Sequence, residues 1–194
     1  AQPDGVSNYA KIANLMTIDT VNKYSATAPM LGYLYQVRIA LLYALQQAKL
    51  GEFSVSLETL DDVTFEANGS PISVLQTKHS IVKKANLTDT SVDLWKTLRV
   101  WLAGNSSGEV PTEATLFLIT TSSITQDTAA QALCAHAPTR NIPIACSRLK
   151  QAASSSSNDA LQDVFKTFLK LSQVNQEKLL NRVVVIPDEG NVAE

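Results

Sequence analysis

Residues 29–50 and 53–78 follow different hydrophobic periods, and that switch restricts the chain to folds that combine helix and sheet. In the first stretch, PMLGYLYQVRIALLYALQQAKL, Leu31, Leu34, Val37, Leu41, Leu42 and Leu45 recur at three- and four-residue steps. That spacing predicts a helix with these residues as its buried stripe. Pro29 suits its first turn, and Gly51 ends it. Alternation then takes over. Residues 53–57 (FSVSL), 62–66 (DVTFE) and 72–78 (ISVLQTK) read as three strands. Asn68-Gly69 is a hairpin signal between the last two, so the three predict an antiparallel meander.

The later elements are read in the same way. Residues 87–103 predict a helix, capped by Thr88 or Asp89, with Leu94, Trp95, Leu98, Trp101 and Leu102 on one apolar face. Lys96 and Arg99 lie away from that face, and the two tryptophans read as core residues. The run ATLFLITT at 114–121 predicts a strand covered on both faces. A helix is expected over 125–136. Residues 142–146 (IPIAC) carry a proline and read at best as an edge strand. Ser154 to Ser157 reads as a loop, followed by helices at 158–171 and 174–181 and a last strand at 183–186. Residues 1–28 read as an N-terminal extension and 29–194 as one domain, expected to belong to a longer protein because no initiator Met is present.

Composition excludes several classes of function. No apolar run reaches the roughly 18 residues of a membrane span, and the start of the chain lacks a basic-then-apolar signal. A cytoplasmic protein is expected. Cys134 and Cys146 match no zinc spacing and read as reduced, packed thiols. With seven glycines in all, there is no Walker loop and no dinucleotide fingerprint. His79 and His136 cannot build a multi-histidine site, and His136 reads as a helix-end residue. A net charge of −2 is low for a nucleic-acid binder, yet the distribution of charge matters more than its sum. Lys78, His79, Lys83 and Lys84 cluster, and Lys96 and Arg99 follow on the next helix. Of these, His79, Lys83, Lys84, Lys96 and Arg99 are the candidate phosphate contacts.

One constellation carries chemistry. Asp61 and Asp62 open the second strand, while Gln76 and Lys78 stand two apart, and so on one face, of the third. The hairpin brings the strands together. A carboxylate and an amide oxygen are hard ligands suited to Mg²⁺ or Mn²⁺. A lysine beside them can hold an attacking water and offset transition-state charge, the equipment of phosphodiester hydrolysis. The spacing alone fits an ordinary solvated hairpin equally well.

Wider context adds to this. The blocks GYLYQVRIALLYAL, VSLETLDDVTFE, VLQTKH and LTDTSVDLWKTLRVW, in this order, resemble the N-terminal nuclease domain of bacterial anti-phage effectors. The family named by the resemblance is the double-stranded DNA endonuclease associated with CD-NTases in CBASS defence, of the PD-(D/E)xK superfamily. The resemblance implies an α/β restriction-endonuclease-like core, a mixed β-sheet flanked by helices. It implies Asp62 as the metal-binding acid, with Asp61 adjacent and the register between them open. Gln76 and Lys78 would form a QxK variant of the (D/E)xK pair. Glu58 matches an acidic position ahead of the aspartates, and Gln36 a polar residue facing the site. The implied partners are double-stranded DNA, further copies of the chain, and a sensor domain or ATPase outside it. Two rivals stay open: a catalytically silent DNA-binding or oligomerisation module, and a nucleotide- or NAD-cleaving enzyme, which the shortage of glycine-rich loops disfavours.

Overall fold

The computed structural model describes residues 27–49, 51–59, 62–79, 86–135 and 138–187. Helix α1 (Thr27–Gln47) leads into β1 (Ser54–Leu57), β2 (Val63–Ala67) and β3 (Ser70–Lys78). These three pair antiparallel in sequence order, as the alternation predicts. The β2–β3 turn works because Asn68 and Gly69 both take positive φ, 53° and 76°, which their short or absent side chains tolerate.

After the short strand β4 (Asn86–Leu87) comes α2 (Val92–Ser107), which crosses over to β5 (Thr115–Thr120). Then follow β6 (Ser123–Ile124), a single turn α3 (Ala129–Ala132), α4 (Ile142–Ser155), a 3₁₀ turn (Asp159–Leu161), α5 (Gln162–Lys170), α6 (Gln173–Arg182) and β7 (Val183–Ile186). The main sheet has the order β1-β2-β3-β5-β7, with β3, β5 and β7 parallel. The fold is therefore α/β, with a mixed five-stranded sheet flanked by helices. Strands β4 and β6 form a small parallel pair of their own.

Alternation along the sheet separates two apolar layers. Val74, Leu116, Leu118, Val183 and Val185 join the larger, with Trp95, Trp101, Leu149, Phe165 and Phe168 from the helices. Trp95 and Trp101 are fully buried, as read from the sequence. On the other face Val63, Phe65, Leu75 and Ile119 meet Tyr35, Ile39 and Ala40 of α1. No helix of the described residues is long and apolar enough to cross a membrane.

Four expectations need correction. The stripe predicted to anchor α1 is largely its outer face: Leu34, Val37, Leu41, Leu42 and Leu45 are exposed. Tyr35, Ile39 and Ala40 pack on the sheet instead, because the helix is apolar on both sides and the aromatic residues fit the groove. Residues 142–146 are the first turns of α4, not an edge strand. The Asn141 side chain accepts from the Ile144 N–H and Pro143 sits in the first turn, where its missing N–H costs nothing. The helix expected over 125–136 is the single turn α3. Asp89 does not cap α2: Ser91 holds that position, and the Asp89 carboxylate accepts from the Ala129 N–H at 2.6 Å, tying α2's entry to α3.

Candidate active site at the end of β3

Strand β3 ends at Lys78 and its parallel neighbour β5 at Thr120, directly opposite in register. Ligands of open α/β sheets collect at such carboxyl ends. The Thr121 N–H donates to the Lys78 carbonyl, which fixes this edge.

Asp62 stands one rung before the Val63–Leu75 pair, opposite Gln76. Its carbonyl accepts from the Glu58 N–H at 3.1 Å, closing the β1–β2 turn. Its side chain turns the other way. Asp62 Oδ2 accepts from the Thr77 N–H at 2.7 Å and from Thr77 Oγ1 at 2.8 Å. The carboxylate thus takes the place of a strand carbonyl at the end of β2 and clamps onto the Gln76–Thr77–Lys78 tripeptide. Thr77 is not among the residues the sequence singles out. Alternation sets Asp62 opposite Gln76, so no sequence signal singles out Thr77.

Gln76 and Lys78 share a face with Val74, the α2 side of the sheet. Thr77 alternates with them and faces the α1 side with Leu75. The structure therefore ties Asp62 to the tripeptide but sends its carboxylate toward Thr77, while the Gln76 and Lys78 side chains leave on the opposite side. Gln76 is 6% exposed. Lys78 is half-buried and makes no ion pair with a described residue. Glu58 is exposed at the end of β1 with φ 55°, an uncommon setting for a side chain with a Cβ.

The other predicted residues are spread more widely. His79 lies on the α1 side, its ring 5.0 Å from that of Tyr35. Gln36, next on α1, carries a buried Oε1 with no partner among the described residues. Lys96 is exposed on α2. Arg99 is engaged elsewhere: it donates to Asp163 and to the Ala160 carbonyl, both at 2.6 Å, joining α2 to the start of α5. Asp61, Lys83, Lys84 and His136 lie outside the described residues. Among the described residues no three of His, Cys, Asp and Glu gather as a metal cluster.

Two further features lie away from this edge. A cleft of about 560 Å³ opens at the opposite end of the sheet, between α2, Thr112, Glu113 and α6, and shares no residue with the candidate site. Cys134 and Cys146 are free, and burial raises both thiol pKa values above the ordinary range, so they stay protonated and weakly nucleophilic. Compared with protein-family models, with curated proteins and with solved structures, the chain finds no match.

Proposed function

We propose that the chain is the nuclease domain of a bacterial anti-phage effector, a divalent-metal-dependent endonuclease that cuts double-stranded DNA on a restriction-endonuclease-like core. One observation carries the reading: an acid, Asp62, is hydrogen-bonded onto the Gln76–Thr77–Lys78 tripeptide at the carboxyl edge of the parallel strands. Carboxylates that bind metals are themselves usually oriented by such hydrogen bonds, and Thr77 supplies two. Gln76, 6% exposed, offers a hard amide oxygen in the same tripeptide, which fits Mg²⁺ or Mn²⁺. A bound metal would polarise the phosphate and lower the pKa of a bound water.

The chain's own residues have separable roles in this reading. Asp62 and Gln76 would hold the metal once the Asp62 carboxylate turned from Thr77 to the Gln76 side of the strand, with Glu58 and, adjacent in sequence, Asp61 as further acids. Lys78 positions the water and offsets charge on the phosphate. His79, Lys83, Lys84 and Lys96 meet the DNA backbone; Arg99, bound to Asp163, is the weakest member of that set. The whole protein is expected to work in the cytoplasm as an oligomer, switched by a sensor domain or an ATPase.

A second reading is favoured by the same geometry. With Asp62 Oδ2 accepting twice from Thr77 and the two other side chains on the far face, the fold could serve as a silent DNA-binding or oligomerisation module. Incubating supercoiled plasmid with the protein in Mg²⁺ or Mn²⁺, with and without EDTA, separates the two. Nicking that EDTA abolishes and Asp62→Ala removes supports the nuclease. DNA retention in a gel shift without cutting in either metal supports the module.

A further inference from the structure

Helix α1 presents two apolar faces. Tyr35 and Ile39 are 0% and 2% exposed against the sheet, whereas Leu41 and Leu45 are 60% and 62% exposed on the other side. Val37 and Ile39 stand about 200° apart around the helix, so these are opposite faces and not the edges of one stripe. Met30, Tyr33, Leu34, Val37, Leu41 and Leu45 follow one another at one- to four-residue steps along the outer face. Arg38 is the only charged side chain between Thr27 and Gln47. A helix apolar all round is normally covered on both sides.

We propose that the outer face of α1 is covered by the same face of a second copy of this chain, in a two-fold antiparallel helix pair. The argument rests on area and on self-complementarity. At roughly 200 Å² for a large side chain, the exposed fractions leave about 600 Å² of apolar residue surface. That reaches the top of the ~300–600 Å² range of the largest patch on a typical monomer and approaches the ~800 Å² each partner contributes to a stable interface. A two-fold contact requires a surface that complements itself. This stripe does so, because both of its ends are apolar and its midpoint falls at Val37 and Arg38. Antiparallel pairing about that midpoint sets Met30 against Leu45 of the other copy and brings the two Val37 side chains together. The proposal stands apart from the nuclease reading and holds for a silent module as well.

The test is the mass of the 194-residue chain by light scattering over a wide concentration range, alone and with Leu41→Glu plus Leu45→Glu. Both positions are exposed, so the variant should keep its helix content and melting behaviour. The expected result is twice 21.0 kDa for the parent and 21.0 kDa for the variant. Val37→Cys should form an intermolecular disulfide on mild oxidation much faster than the parent, whose Cys134 and Cys146 provide the background. A parent that stays at 21.0 kDa at every concentration overturns the proposal. So does a double variant that keeps the dimer mass. If Leu41→Cys in a monomeric protein resists thiol labelling, the face is covered from within the chain and the proposal fails.

Discussion

On the α2 side of the sheet, Leu116 and Leu118 of β5 share one core cluster with several helices, with Trp95 set edge-on against Phe165 and Phe168 at 4.7 and 5.7 Å. On the α1 side, Phe117 and Ile119 of the same strand meet a single described helix, whose outer surface is as apolar as its inner one. One strand thus faces a finished layer and an unfinished one. The outer face of α2 in the finished layer is largely polar: Asp93, Lys96 and Ser106 are exposed, while Leu98 and Trp101 are not. The difference separates two tasks of apolar surface, specifying the fold and offering a place to dock. The candidate site sits where the sides meet, since Asp62 reaches toward the α1 side and Lys78 leaves on the α2 side.

Substitutions on each side sharpen this contrast. Trp95→Ala should cost most, about 3–5 kcal/mol, because it empties the centre of the thick layer and strands the Asp89 carbonyl that accepts from the indole N–H at 2.7 Å. Urea melts measure it, and a loss no greater than that of a surface change would refute the layer assignment. Ile39→Ala, buried between α1 and the sheet, should fall near the low end of the ~2–5 kcal/mol range, since a lone helix can settle into the space left behind. An Ile39→Ala penalty above that of Trp95→Ala would invert the comparison. The smallest effect is expected for Thr77→Val, which keeps the shape and deletes one of two hydrogen bonds to Asp62, about 1 kcal/mol. If Asp62 acts through this clamp, cleavage should fall more steeply than stability, with Thr77→Ser restoring both.

Much of the sheet is legible in the sequence because short-range rules decide it. The Asn68-Gly69 turn fixes the β2–β3 register, and the unbroken apolar run of β5 announces burial on two faces. The orientation of α1 is not legible. Leu34, Leu41 and Leu45 form the more regular stripe, but the sheet selects Tyr35 and Ile39 by shape, which only tertiary packing reveals. Pro143 pointed away from helix until the Asn141 cap made its position a first turn. Arg99 could be read as a free cation because its partner, Asp163, is 64 residues away. At the site, the proximity of Asp62 to the tripeptide follows from alternation and the turn. Its attachment to Thr77 does not, since it depends on β2 starting one residue after the aspartate.

The most direct test of the nuclease reading compares plasmid cutting by the parent chain and by Lys78→Ala in Mg²⁺ and Mn²⁺. Lys78 is half-buried at a strand end with no described ion partner, so its loss should cost under ~1 kcal/mol of stability. Loss of a group that stabilises transition-state charge typically lowers the rate about 10²-fold or more. The account predicts that the parent nicks and linearises the plasmid, and that Lys78→Ala does neither while keeping its melting temperature and most of its DNA binding. A Lys78→Ala protein that cuts as fast as the parent would contradict it.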